Sequence, residues 1–421
     1  MKKKLSILLL LIIMCMCFGC SSMDKAAPEA CDVNLEMVMD DSVYSMERSV
    51  DGSDMKPDGA TGAEPAETAA ETAAAVSEPL VCVSFSESSW QSTDDDGEKL
   101  FVSRCYEPTF VTEDDAVNGW LKGLVDTAGT QTELDLLQVE NQAWRDRDNR
   151  EEEGVSFYSY SYYANVSTER LDSAVISALQ VNSVYSGGAH PGYAQIAYNL
   201  DLINRAELTL DDVILPGSDT KLQQGILDRL EQRFGGLEHS GLYADYPEIV
   251  KASFAVPELT PNWYFSSNGL VIYFNCYDIA PYAAGIIKVE FPYDTLDGIL
   301  RPEYFPKTGA AGEGSVALIQ AVEGRSVLND QQEGSGFCIG PEGSTVYDVK
   351  IYRITGWLTD DVPIQGPMVF AANRLTVSEA VILSDDSDAW YLLTHRNTEG
   401  QLEKLAVNSS EIREIVAEMA E

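Results

Sequence analysis

Apolar positions along the chain change their period several times, and each change marks an element. Residues 80–85 and 100–106 are apolar and β-branched enough to read as two consecutive strands. Thr112-Glu113-Asp114-Asp115 then has the order of a capping box, in which the Thr112 hydroxyl and the Asp115 carboxylate satisfy free amides at a helix start. Val117, Trp120, Leu121, Leu124 and Val125 recur at helical spacing, and a second helical stretch is expected around Leu136, Leu137, Ala143 and Trp144. A mixed acidic and basic loop at 145–153 is expected to close this unit. The period then drops to two. Tyr158, Tyr160, Tyr162, Ala164 and Val166 alternate with Ser159, Ser161 and Asn165, which predicts a half-buried strand with one aromatic, core-facing side.

Strands follow at 174–185 and 193–200, joined by Ser186-Gly187-Gly188-Ala189-His190-Pro191-Gly192, a loop whose three glycines permit turns closed to other residues. Leu222, Ile226, Leu227, Leu230 and Phe234 mark an amphipathic helix. Trp263-Tyr264-Phe265 and the run 270–274 flank Ser266-Ser267-Asn268-Gly269, a hairpin signal. A strand at 286–291 and a short helix start at 293–300 come next. Further on the pattern is mostly β (346–354, 368–370, 380–383, 390–394), with an acidic helix expected from Ser410. Strands and helices in this order, without regular βαβ alternation, predict an α+β fold: antiparallel sheets with packed helices, then a small, mostly β C-terminal unit. The expected division is 80–170, 171–305 and 310–421.

The start of the chain has a different grammar. Lys2, Lys3 and Lys4 precede an apolar run at 5–18, and Gly19-Cys20-Ser21-Ser22 follows, the order of a secretory signal over 1–19. The run is shorter than the roughly 20 apolar residues that span a bilayer. It resembles a bacterial lipoprotein signal ending at a lipidated cysteine, here Cys20, although Cys17 and Phe18 replace the usual aliphatic and small residues. Residues 20–79, rich in Ala, Glu, Ser, Asp and Pro, read as a disordered acidic tether. About 60 such residues reach about 40 Å from the membrane. The expected location is the outer face of the cell membrane, held by the lipid anchor.

Composition narrows the function classes. The 421 residues carry 28 Lys and Arg against 68 Asp and Glu, a net charge of −40, which repels nucleic acid. Three histidines, His190, His239 and His395, leave little room for imidazole metal sites, and no P-loop, GxGxxG, HExxH or GxSxG element occurs. No cofactor, metal or catalytic residue is expected, and the chain reads as a binding protein, not an enzyme. Cys82 and Cys105, on consecutive predicted strands, are the one candidate disulfide.

Tyr185-Ser186-Gly187-Gly188-Ala189-His190-Pro191, Tyr198-Asn199-Leu200-Asp201 and Glu207-Leu208-Thr209-Leu210-Asp211-Asp212, together with Leu270-Val271-Ile272-Tyr273-Phe274 and Tyr277-Asp278-Ile279-Ala280-Pro281-Tyr282-Ala283-Ala284-Gly285, resemble the extracellular domain of RsiV-type anti-sigma factors, which sense lysozyme. The same paired domains of unknown function resemble the non-catalytic part of some peptidoglycan deacetylases. The likeness spans about residues 80–300. It implies an α+β ectodomain that binds a cationic protein such as lysozyme, a partner to which the acidic surface is suited. With the apolar run at its start, the chain is not expected to carry the sensor's cytosolic segment or its signalling role, and the deacetylase His-x-x-x-His pattern is missing.

Two loops are the candidate partner-binding surface: Ser186, Gly187, Gly188 and His190 from one, Pro281 and Tyr282 from the other, combining glycine turns with rigid aromatic projection. The alternative is a cell-wall glycan binder without catalysis, in which Tyr158, Tyr160 and Tyr162 stack on the sugars of peptidoglycan.

Overall fold

The computed structural model describes residues 78–154, 156–235, 241–255 and 260–306 and, beyond these, 318–325, 333–340, 345–359, 362–376, 381–382, 389–396, 402–408 and 412–414. The signal, Cys20 and the tether to residue 77 lie outside the described residues. The described residues from Pro79 onward belong to one compact unit.

The first two strands, β1 (Val81–Thr93) and β2 (Lys99–Thr112), make a long antiparallel hairpin. Helix α1 (Asp115–Glu153, 39 residues) follows and extends about 58 Å. Its N-cap is Asp114, not Thr112: Asp114 Oδ1 accepts from the amides of Ala116 (2.7 Å) and Val117 (3.2 Å), while Thr112 supports the turn by accepting from the Asp114 amide. The expected break between two helices and the loop at 145–153 are instead continuous helix. Thr127 and Thr130 return their hydroxyls to the carbonyls of Gly123 and Asp126, and Gln131–Asp135, Gln142–Asp146 and Gln142–Arg145 pair along the surface. Arg147 also holds Asp94 in the β1–β2 turn at 2.9 Å.

Such a crossover permits what a tight turn cannot, a parallel strand pair. Strand β3 (Tyr160–Leu171) runs parallel to β2, with Phe101 to Cys105 opposite Tyr160 to Ala164. It continues antiparallel into β4 (Val175–Tyr185), β5 (Gly192–Asp201) and the two-residue β6 (Ala206–Glu207). Tyr160 and Tyr162 are buried with Phe101 and Ala143 under α1, so they are closed to sugar stacking, whereas Tyr158 is exposed.

Residues 174–305 build their own core. A single helical turn α2 (Leu210–Val213), α3 (Asp219–Phe234) and α4 (Tyr246–Ala255) pack on a three-stranded sheet of β7 (Asn262–Phe265), β8 (Gly269–Phe274) and β9 (Ile287–Pro292). Leu222, Ile226 and Leu230 of α3 meet Phe265, Leu270, Ile272 and Phe274, and the sequence pattern gave no sign of α4. The opposite face, Tyr264, Val271 and Tyr273, packs on Leu179 and Ala197 of β4 and β5, so β8 is buried on both sides.

The C-terminal strands complete the large sheet. After β10 (Leu318–Arg325) and β11 (Glu333–Gly340) come β12 (Thr345–Thr359), β13 (Val362–Thr376), β14 (Val381–Ile382), β15 (Tyr391–Arg396), β16 (Leu402–Val407) and β17 (Ile412–Glu414). The order is β17-β16-β15-β12-β13-β1-β2-β3-β4-β5-β6 in one eleven-stranded sheet, with β10-β11-β14 separate. Strand β13 joins β1 through Cys82–Ala372, Val83–Ala371 and Ser84–Phe370, and Met368 and Ala371 enter the core beneath α1. The fold is therefore α+β with a large, mainly antiparallel sheet, a few helices and a C-terminal β region; the boundary expected at 170/171 falls inside β3, while the one expected near 310 lies outside the described residues. Where an acidic helix was expected, residues 412–414 are strand. Among the described residues no helix is long and apolar enough to cross a membrane.

Cys82 and Cys105 do not pair with each other. Cys82 lies opposite Val111 and Cys105 opposite Ser88, six positions apart along the hairpin or about 20 Å. Cys82 packs with Val349, Phe370 and Leu393, and Cys105 packs with Phe101, Ala143 and Tyr160. Burial pushes the Cys105 thiol up to about 11.

Two measurements check this architecture. Arg170, only 4% exposed, donates to Asp172 (2.7 Å), the Tyr293 hydroxyl (3.0 Å) and the Tyr304 carbonyl (2.6 Å). Arg170→Ala strands these acceptors and is expected to cost about 3–5 kcal/mol in urea unfolding. His395, 1% exposed on β15, has Nε2 3.4 Å from Glu403 of β16, yet burial holds its pKa below the ordinary value of 6.5. The unfolded chain therefore takes up this proton first as pH falls, so the stability is present above 6.5 and is lost below it. Urea midpoints at pH 7.5 and pH 5.5 should show that loss, and H395Q should reduce it.

Candidate functional site

The two loops singled out in the sequence meet at one end of the sheets. The first connects β4 to β5. Gly187 adopts φ +87°, and a Cβ there would lie 2.9 Å from the Tyr160 hydroxyl, which itself donates to Asp146 at 2.5 Å. Only glycine satisfies both the backbone angle and this close approach. Gly188 has neither constraint, since a Cβ would meet nothing nearer than 3.8 Å. Ser186 and Gly187 are half-buried, and Gly188 and His190 project into solvent.

The second loop connects β8 to β9 and is fastened to β5 by one side chain. Asn275 Oδ1 accepts from the Gln195 amide at 2.8 Å and its Nδ2 donates to the Gln195 carbonyl at 3.2 Å, while the Tyr273 hydroxyl donates to that carbonyl at 3.1 Å. The Asn275 amide in turn donates to Asp278 at 2.7 Å, closing a tight turn. Ile279 and Ala280 plug into the core beside the helices, and the Tyr243 amide donates to the Ile279 carbonyl at 2.8 Å. Exposed Pro281 then opens a 3-10 turn, Tyr282–Ala284, with φ −60° and ψ 158°. A buried hydrophobic pair thus fixes the base of the loop and leaves its tip to project.

At the tip the rings converge. His190 stacks on Tyr282 with centroids 3.7 Å apart and planes 17° from parallel. Tyr193 lies 6.0 Å from Tyr282 on a similar plane, and Tyr277 lies 5.9 Å away. The His190 Nδ1 is 3.1 Å from the Pro191 carbonyl and its Nε2 is 3.4 Å from the Tyr277 hydroxyl, a pattern satisfied when Nδ1–H donates and Nε2 accepts. Tyr282 is held neutral because burial, then Tyr193 and Cys276, push its phenol above the ordinary range. Tyr277 is 47% exposed and has φ +72°, a strained angle for an aromatic residue.

Six residues were expected at the site, and the structure places them on two adjoining loops: His190 and Tyr282 touch, Pro281 starts the turn that presents Tyr282, Ser186 and Gly187 form the base of the His190 loop, and Gly188 lies exposed at its tip. Tyr193, Cys276 and Tyr277 were missed. Nothing in a linear pattern shows that a tyrosine will take positive φ, and Tyr193 alternates like any strand residue. The surface offers flat aromatic faces suited to a partner's cationic side chains or to sugar rings. Among the described residues no three His, Cys, Asp or Glu side chains gather closely enough to hold a metal ion.

The geometry separates the adjacent glycines. G187A should move Tyr160 and the His190 loop and cost about 1–3 kcal/mol in thermal or urea unfolding, whereas G188A should stay within about 0.5 kcal/mol of the parent.

Comparison with known proteins reaches the same region. Residues 211–294, from α2 through the turn after β9, match a family described as a protein of unknown function, DUF3298. Similar solved structures include a DUF3298 family protein from Pseudomonas aeruginosa PAO1, at 16% identity and TM-score 0.38 over 53% of this chain and 96% of that one. Another is a DUF3298 member from Bacteroides fragilis NCTC 9343, at 19% identity and TM-score 0.38 over 52% and 94%. No curated protein matches. The RsiV-type likeness is finer than these comparisons reach. The family match alone supports a DUF3298 domain over residues 211–294, which supply Tyr277, Pro281 and Tyr282 to the aromatic surface.

Proposed function

We propose that this chain is an extracytoplasmic binding protein, anchored to the cell membrane through a lipid on Cys20, which recognises a cationic protein such as lysozyme without catalysis. The observation that carries the reading is the His190–Tyr282 stack, 3.7 Å between centroids, which makes one rigid surface from two loops distant in sequence. Rigid aromatic anchors lose little side-chain freedom on binding. Their faces attract lysine and arginine side chains, and a net charge of −40 draws a basic protein toward the surface before any contact forms. The Ala-, Glu- and Pro-rich composition of residues 20–79 fits the same reading, since a tether there would give the folded part reach from a lipid anchor.

A second reading has a specific observation in its favour. Tyr277 stands 47% exposed beside the Tyr282 and His190 rings, a platform of the kind on which sugar rings stack, so peptidoglycan glycan is the alternative ligand. It replaces the buried Tyr160 and Tyr162 of the sequence-based expectation.

Calorimetric titration of the purified chain with lysozyme at physiological salt, beside an unrelated basic protein of similar charge, tests the first reading. Lysozyme should bind selectively, and Y282A should weaken it by about thirtyfold, the loss of an interface hot spot. Equal binding of both proteins, or indifference to Y282A, overturns it. Saturable binding of soluble peptidoglycan fragments, lost in Y277A, would establish the second.

A further inference from the structure

A second feature lies in the splayed end of the central sheet. Strands β1 and β13 pair over only three residues, ending at Ser84–Phe370. Continuing that register would set Glu87 against Pro367. A proline has no N–H to donate to a ladder. The two ribbons, β1–β2 and β12–β13, instead part and leave a cleft of about 370 Å³ lined by Glu87, Arg104 and Tyr106 on one side and Arg353, Ile354, Thr355 and Pro367 on the other. The β12–β13 register also shifts around Tyr352, Ile354 and Gly356, so that edge is irregular where the cleft opens.

The charge in this cleft runs against the rest of the molecule. Two guanidinium groups line it in a chain of net charge −40. The single lining carboxylate, Glu87, is engaged on both oxygens: Oε1 lies 3.3 Å from Arg104 Nε, and Oε2 accepts from the Tyr106 hydroxyl at 2.7 Å. Tyr106 stays protonated to do so, because burial and then Glu87 push its phenol up to about 12. Glu87 therefore meets Arg104 at Nε, on a guanidinium whose side chain is largely exposed. Arg353, exposed on β12 where its backbone pairs with Tyr391, makes no side-chain hydrogen bond or ion pair among the described residues, and its charge acts on the Tyr106 phenol. Guanidinium groups match a carboxylate through paired N–H donors, and Ile354 and Pro367 supply an apolar wall beside them.

We infer that the cleft between the β1–β2 and β12–β13 ribbons binds a small organic acid, its carboxylate held by Arg353 and Arg104 and its apolar body against Ile354 and Pro367. The crevice is open to solvent along exposed Arg104, Arg353 and Thr355, and has room for a molecule the size of benzoate. This site is separate from the aromatic surface and does not rest on the function proposed there.

Calorimetry of the full chain with benzoate, neutral benzamide and inorganic phosphate tests the inference. Benzoate should bind saturably in the millimolar range or tighter and benzamide should not. R353Q and R104Q should each weaken benzoate about tenfold or more, because each removes a charged hydrogen-bond donor. Arg104 is 57% exposed at its side chain, so the fold should survive, and an unchanged circular dichroism melt checks this. E87Q supplies a readout that a purely structural role would not give: withdrawing the competing carboxylate should tighten benzoate. Equal binding of benzamide, no saturable benzoate binding, or full affinity in R353Q overturns the site. Phosphate binding in place of benzoate, lost in the same variants, overturns the carboxylate assignment.

Discussion

A buried guanidinium has to be surrounded by acceptors, and the middle of this protein is arranged around one. Arg170 sits near the end of β3 with its Nε on Asp172, its Nη1 donating to the Tyr293 hydroxyl and the Tyr304 carbonyl, and its guanidinium carbon 4.9 Å from the centre of the Phe265 ring. Taking that charge out of water is favourable only while every partner is in place. Those partners come from the β3–β4 turn, from β7 and from the turns after β9. Asp172 also accepts from the amides of Ala174 and Val175, so the same group shapes the bend that starts β4. One cation thereby sets how the smaller sheet lies on the larger.

The aromatic surface inherits its geometry from that docking. Ser177 and Asn199, buried between the sheets, receive the Phe265 amide and hold the Trp263 carbonyl, which fixes β7 against β4 and β5. Asn275 repeats the device farther out, satisfying both backbone groups of Gln195. Polar groups in an apolar contact specify position, since a shifted register leaves them unsatisfied. The His190–Tyr282 stack is the outward end of this chain of fixed contacts.

The C-terminal strands are part of the same body. Lys350 donates to the Glu169 carbonyl and lies 3.5 Å from Ser267 in the β7–β8 turn, and Arg396 donates to Asn268 in that turn at 2.8 Å. Strand β13 also supplies Met368 and Ala371 to the core under α1. A segment that is mostly β by sequence thus finishes the main sheet, and where it parts from β1 beyond Phe370 the cleft lined by Arg104 and Arg353 opens.

Local pattern settled much of this. Alternating tyrosines located β3 and its buried side, the apolar stripe of Leu222, Ile226 and Leu230 located α3, and Ser266 to Gly269 located a hairpin, because each depends on neighbours a few residues away. The projecting loops were legible for the same reason, through their glycines and Pro281. What failed was everything set by distant contacts. A weakly amphipathic 39-residue helix is continuous because it lies across β2 and β3, and Asp114 displaces Thr112 as its cap through the geometry of the preceding strand. The separation of Cys82 from Cys105 is a matter of strand register. The inclusion of Tyr193 and Tyr277 in the aromatic surface needed the two sheets docked. The sequence by itself determined which segments are strand or helix and which loops project; only the tertiary structure decided which of them touch, because pairing and docking are chosen by burial and hydrogen bonding between residues far apart in the chain.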